Sequence, residues 1–192
     1  MKLVILIGDS IRMAYQPVVA RELEGLAHVW GPQDNCRNSR CVRDNLQAWA
    51  LDRQPDLIHL NAGLHDLARP REAQEPPGPP PIGADAYIDN LRTCLGAIQG
   101  AGIRTILALT TPVLEARQGG RRVLRFEAEV ETYNAMARAV ARELNVPIND
   151  LHRVVCDAGC EAMLAEDGVH FTPEGTELLG RAVAGMIRAA LE

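Results

Sequence analysis

Five short apolar runs punctuate the chain, at residues 3–7, 27–30, 57–61, 103–109 and 146–148. The first, Leu3-Val4-Ile5-Leu6-Ile7, has no polar position and closes on Gly8. An uninterrupted β-branched run of this length predicts a strand buried on both faces. Between the runs, apolar residues recur at helical spacing. Pro17 suits a first helical position, and Val18, Val19, Leu23 and Leu26 follow it on one stripe. Residues 45–51 continue a second helix through Leu46, Trp49 and Ala50. Tyr87, Leu91, Leu95 and Ile98 predict a third, stopped by Gly100 and Gly102. Val130, Tyr133, Ala137, Val140 and Ala141 predict a fourth. The last opens at Thr172-Pro173-Glu174, with Thr172 as N-cap, and runs through Leu178, Leu179, Val183 and Ile187.

Strands alternating with helices predict a parallel sheet covered on both sides, because right-handed crossovers place helices on its faces. The expected fold is α/β, a three-layer α/β/α sandwich formed by one domain over residues 1–192. No internal repeat interrupts it. Two loops break the rhythm. Residues 69–83 contain Pro76-Pro77-Gly78-Pro79-Pro80-Pro81, which cannot be helical and should run extended. Residues 115–125 carry Arg117, Arg121, Arg122 and Arg125. Both loops are candidates to wall a pocket, and both have a plain alternative as solvated insertions. The specific suggestion of the arginines is a substrate carrying negative charge.

Composition narrows the function classes. At 192 residues the chain can bury a substantial core. A net charge of −5 argues against general nucleic-acid binding, and 4% aromatics argue against a stacking platform for single strands. The apolar stretch behind Met1-Lys2 is five residues long and ends in Gly-Asp, with no small-residue cleavage site, so it reads as a strand and not a signal peptide. No stretch approaches the length of a membrane span. A cytoplasmic location and no membrane partner are expected. Five cysteines leave at least one unpaired, unlike a secreted disulfide framework. Cys36 and Cys41, and Cys156 and Cys160, lack Cys-x-x-Cys spacing, so free thiols and no metal site are expected.

The candidate chemistry lies at the two ends of the chain. Gly8-Asp9-Ser10 follows the first strand directly, which sets Ser10 at the carboxyl rim of the sheet, where open α/β proteins place their chemistry. Asp167-Gly168-Val169-His170 supplies a base with an acid three residues away. A serine hydroxyl is a weak nucleophile until its proton is removed, and a neutral imidazole can take that proton near neutral pH. Asp167 could bond the other ring nitrogen and fix its tautomer. Taken singly, Asp9-Ser10 and Asp167-Gly168 could be turns and His170 a structural histidine; jointly they favour a Ser10–His170–Asp167 triad. No Gly-x-Ser-x-Gly elbow occurs. His28 and His59 fall in strands, where a satisfied buried histidine is the default. His152 follows Asp150 toward the rim without a nucleophile paired to it. A phosphate or flavin site at this rim is disfavoured, because Asp9 repels phosphate and no glycine-rich loop follows.

In these motifs the chain resembles the SGNH hydrolases, or GDSL esterases and lipases, which carry Gly-Asp-Ser near the amino terminus and Asp-x-x-His near the carboxyl end. The resemblance spans nearly the whole chain. Gly63-Leu64-His65-Asp66 matches the family's Gly-x-Asn-Asp block, with His65 in the asparagine place. The glycine-centred second block falls on Asn35-Cys36-Arg37-Asn38-Ser39, which has no glycine. The resemblance implies a flavodoxin-like five-stranded order, 2-1-3-4-5, and assigns the same triad. It also implies an oxyanion hole built from Ser10, the second block and the third. Asn38 is the expected second-block donor, since asparagine tolerates a left-handed backbone better than arginine. His65 could donate through a ring N–H. Asp9, Arg12, Gly63 and Asp66 are expected to support the site or bind substrate, with Asp66 holding its loop. No cofactor is implied. The expected function is a serine esterase acting on a small-molecule or carbohydrate ester, with acetyl groups on a carbohydrate as one substrate class. A thioesterase or lysophospholipase is the alternative within enzymes. A catalytically impaired carbohydrate-binding or interaction module is the alternative outside them.

Overall fold

A five-stranded parallel sheet organises the computed structural model of the chain, which describes residues 1–71 and 78–192. In chain order the elements are β1 (Lys2–Ile7), α1 (Ser10–Glu22), β2 (Ala27–Trp30), α2 (Ser39–Trp49), β3 (Leu57–Asn61), β4 (Arg69–Pro70), α3 (Ala84–Gly100), β5 (Arg104–Ala108), β6 (Val123–Leu124), α4 (Glu127–Glu143), β7 (Ile148–Asn149), α5 (Leu151–Ala158), α6 (Cys160–Met163) and α7 (Pro173–Leu191). The sheet runs β2-β1-β3-β5-β7. With β4 and β6 set apart, this is the expected 2-1-3-4-5 order. The topological switch falls between β1 and β3, where Ile7 pairs with Leu60.

The core explains why the apolar runs are strands. Val4, Ile5, Leu6 and Ile7 are fully buried, as are Leu57, Ile58 and Leu60. Helices cover both faces of such a strand, so no position needs to be polar. On one side α1 packs on α7 and α5 also meets α7; on the other, α3 packs against α2 and α4. β2 is an edge strand, and its His28 is exposed, against the expectation of a buried histidine. His59, in β3, is fully buried, and burial pushes its ring down to about 3, so it is neutral.

Helix starts differ most from expectation. Pro17 lies inside α1, which begins seven residues earlier at Ser10. Proline there removes one helical hydrogen bond. The site is on the exposed face near Met13, where water can replace that bond. α2 begins at Ser39, not near Asn45, and is capped by the Asn38 side chain, which accepts from Cys41 N–H at 3.0 Å. Thr172 caps α7 as expected, accepting from Gly175 N–H at 3.1 Å, with Pro173 in the first turn.

The two irregular loops meet. β4 and β6 pair antiparallel, Arg69 with Leu124 and Pro70 with Val123, forming a short ribbon over the carboxyl rim. Arg71 N–H donates to Arg122 O at 2.8 Å, and the Arg71 guanidinium reaches Arg121 O and Gln118 O. Residues 72–77, including Pro76 and Pro77 of the proline-rich run, lie outside the described residues.

Candidate active site

β1 delivers Ser10 to the rim through Gly8-Asp9. Asp9 is buried and caps α1, accepting from Ile11 N–H at 2.9 Å. Ser10 therefore occupies the first helical turn, where backbone N–H groups lack intrahelical acceptors and the helix end favours negative charge. Arg12 does not reach this pocket. It is buried beneath it, donating to Pro32 O at 2.9 Å and Asp34 O at 3.1 Å, and so pins the β2–α2 loop to the start of α1.

His170 and Asp167 come from the segment before α7. Its ends are tied by a bridge between Leu164 and Phe171 and by Ala165 N–H donating to His170 O at 2.8 Å. Gly168 turns the segment with φ 70, a left-handed conformation that suits glycine. Its carbonyl accepts from Leu114 N–H at 2.8 Å. Asp167 Oδ1 accepts from the backbone of Val169 at 2.9 Å and His170 at 2.8 Å, which orients the carboxylate. Asp167 Oδ2 lies 2.6 Å from His170 Nδ1, and His170 Nε2 lies 2.9 Å from Ser10 Oγ. With Nδ1–H donating to Asp167, Nε2 is left to accept from the serine hydroxyl. Burial alone would raise the Asp167 carboxyl, but the His170 side-chain and backbone hydrogen bonds, with that of Val169, hold it well below the usual carboxylate range. Arg121 also donates to Asp167 Oδ2.

The second block departs from expectation. The left-handed residue is Arg37, with φ 58, while Asn38 is extended at φ −89. The reason is the helix: Asn38 serves as N-cap, a position that requires extended backbone, so the turn falls one residue earlier. Arg37 N–H donates to Asn35 Oδ1 at 2.8 Å. Asn35, part of the second block but given no role of its own by the sequence, lines the Ser10 pocket.

The third block ties to the second through Asp66. This buried carboxylate accepts from Ser39 N–H at 3.0 Å and from the Ser39 hydroxyl. Asn90 Nδ2 donates to Ser39 Oγ at 2.9 Å. Burial pushes the Asp66 carboxyl up to about 6, and the Ser39 hydrogen bonds only partly offset it. Gly63 does not line the pocket; its carbonyl accepts from Asp66 N–H and Leu67 N–H, closing the turn that presents His65. A Cβ at Gly63 would overlap Thr110 Oγ1. His65 is half-buried and lines the pocket. Burial lowers its pKa, Arg125, Arg37 and His170 add to this, and Asp9 opposes it, so the ring is neutral at pH 7 and keeps one N–H.

These side chains enclose a pocket of about 120 Å³ bounded by Asp9, Ser10, Asn35, His65, His170 and two arginines of the ribbon, Arg121 and Arg125. Arg125 is held by its own backbone: Gln118 accepts from and donates to that residue's N–H and C=O at 2.9 Å. The other arginines of the loop are elsewhere. Arg117 binds Leu164 O and Glu161, and Arg122 is exposed.

The remaining candidates lie apart from this pocket. His152 Nε2 donates to Glu127 Oε1 at 2.6 Å, which raises its pKa, and Cys156 Sγ is 3.7 Å from its Nδ1. All five cysteines are free. Among the described residues, no three His, Cys, Asp or Glu side chains form a metal-holding group, and no helix is long and apolar enough to cross a membrane.

A hydroxyl, an imidazole and a carboxylate in hydrogen-bond series at the rim of an α/β sheet form an arrangement chemically able to carry acyl transfer. The sequence profile of the GDSL-like Lipase/Acylhydrolase family matches residues 6–178, and the chain belongs to that family of carboxylic-ester hydrolases. A triad and an oxyanion hole are typical of its members. No curated protein matches the chain in sequence. Solved structures with the same fold include a lipase/acylhydrolase from Enterococcus faecalis, 21% identical, covering 100% of this chain and 98% of that one, with a TM-score of 0.83. An acetylxylan esterase from Geobacillus stearothermophilus is 18% identical over 97% and 94% of the two chains, with a TM-score of 0.77. A carbohydrate esterase family 3 protein from Talaromyces cellulolyticus is 19% identical over 100% and 98%, with a TM-score of 0.74.

Proposed function

We propose that the protein hydrolyses short acyl esters through Ser10 as nucleophile, His170 as general base and acid, and Asp167 as the group that fixes the imidazole. The observation that carries this reading is the series Asp167 Oδ2–His170 Nδ1 at 2.6 Å and His170 Nε2–Ser10 Oγ at 2.9 Å. His170 takes the serine proton as Oγ attacks the ester carbonyl, then returns it to the departing alcohol. Water repeats the sequence on the acyl-enzyme and frees the acid. The developing oxyanion faces the Ser10 N–H, the His65 ring and the second block. There Arg37, not Asn38, takes the left-handed position, and its N–H becomes available when the Asn35 side chain turns away.

The size of the pocket, about 120 Å³, supports a short acyl group. Beside it, sharing Asn35, runs a polar groove lined by Asp34, Arg37, Cys41, Asn45 and the half-buried Trp49. Amide, carboxylate and indole groups suit a polyhydroxylated alcohol. With the carbohydrate esterases among the similar structures, this favours an acylated sugar, acetyl esters included. The test is Ser10→Ala against aryl acetates and acetylated sugars. The expected loss in kcat is on the order of 10³-fold or more with the fold intact by circular dichroism. A variant keeping a tenth of the wild-type rate would contradict the assignment.

A further inference from the structure

Arg125 carries a charge that the proposed chemistry does not use. The residue is 5% exposed, and among the described residues its guanidinium makes one hydrogen bond, Nε to Leu64 O at 2.7 Å. Nη1 is buried with no partner among the described residues, and no carboxylate there forms an ion pair with Arg125. A buried, unpaired charge is costly, and folded proteins rarely retain one without use. The group nonetheless lines the same pocket as Ser10 and His170. Burial, with Arg121 nearby, lowers its pKa to about 10, so it stays cationic at neutral pH.

The charges facing Arg125 are Arg121, Asp9 and Asp167. Both acids are already engaged, Asp9 as the cap of α1 and Asp167 by His170 and Arg121. Arg37 lines the neighbouring groove that shares Asn35 and is close enough to depress the His65 ring together with Arg125. An ester entering this pocket therefore meets a cationic wall with guanidinium donors to spare. A fork of guanidinium N–H groups matches a carboxylate in shape and charge.

We infer that the ester this site is built for carries a carboxylate within a few bonds of the scissile carbonyl, and that Arg125 binds it, with Arg121 and Arg37 adding to the field. This rests on the esterase reading above and narrows its substrate class. The carboxylate has two sources, the acyl group of a dicarboxylic half-ester or the alcohol of an acidic sugar. Arg125 acts on recognition, so its effect belongs mainly in KM.

The experiment compares matched esters on the full-length protein. For the acyl source the pair is phenyl hemimalonate and phenyl butyrate. For the alcohol source it is the acetyl esters of methyl glucuronoside and methyl glucoside. At least one acidic ester should exceed its neutral partner by about tenfold or more in kcat/KM, carried by KM. In Arg125→Met that ratio should fall to near one, and Arg125→Lys should restore part of it. Which pair shows the preference identifies the source. Wild-type ratios near one for both pairs would overturn the inference while leaving the esterase reading intact, and they are informative even where Arg125→Met fails to fold. An Arg125→Met variant that loses acidic and neutral esters equally would also overturn it, since that is the pattern of an oxyanion or structural role. In Ser10→Ala, where no turnover occurs, calorimetry should show saturable binding of malonate or glucuronate that Arg125→Met abolishes. Absence of that binding counts against the inference. Absence of hydrolysis of all four esters by the wild type would count against the esterase reading instead.

Discussion

His65 stands where the family carries asparagine, and its ring is neutral, half-buried and turned to the pocket. A neutral imidazole keeps one N–H, enough to replace one amide donor to an oxyanion. His65→Ala should lower kcat by about 10²-fold or somewhat less, while His65→Asn keeps most of it. Equal, mild effects of the two substitutions would mean that the ring only packs there. Asp66, the next residue, acts on stability. Its carboxyl is raised from 3.8 to about 6, so between those values the folded protein binds a proton that the unfolded chain has released. Stability is therefore lost as pH rises through that window, by about 3 kcal/mol in all. Denaturant midpoints from pH 4 to 7 should fall more steeply in wild type than in Asp66→Asn, whose amide does not titrate. Parallel profiles would contradict this account of Asp66.

The elements that position the site differ in how plainly the chain announces them. The strands are legible because helices cover both faces, so burial leaves a run such as Val4 to Ile7 without a polar break. The starts of α1 and α2 are hidden for the opposite reason: Arg12 and Ser39 are buried polar residues on the inward stripe. They break the apolar period, and their partners lie in distant segments, at Pro32 O, Asp34 O and Asp66. The β4–β6 ribbon has two residues in each strand and no periodic signal, yet it carries Arg121 and Arg125 to the pocket. The segment before α7 is the most demanding piece of local geometry. A Cβ on Gly168 would overlap Leu114 O, and the residue sits at φ 70. Gly168→Ala should cost about 1–3 kcal/mol of stability and shift Asp167 from His170, so that kcat falls more than KM changes. Wild-type turnover in a folded Gly168→Ala variant would show that the turn is not needed to hold the pair.

Across the whole molecule, residues 160 positions apart are brought within a hydrogen bond, Ser10 at the start of α1 and His170 in the segment before α7. The sheet accomplishes this because β1 is central and α7 returns to pack on α1, so the carboxyl end of β1 and the segment that opens α7 meet at the rim. The serine and the Asp-x-x-His pair were readable as motifs, since each is short and contiguous. The arginine loop was readable as a candidate wall and Asn35 as part of the second block, but which of the arginines reach the pocket, and that Asn35 shares it, were not, because that depends on separate loops meeting. The account stands most directly on Ser10 being the activated nucleophile. Incubation of the full-length protein with an organophosphonate, followed by intact mass and peptide mapping, tests that without knowledge of the substrate. The expected result is a single adduct on Ser10, formed in wild type and far more slowly in His170→Ala. An adduct on another serine, or labelling of Ser10 that is indifferent to His170, would contradict it.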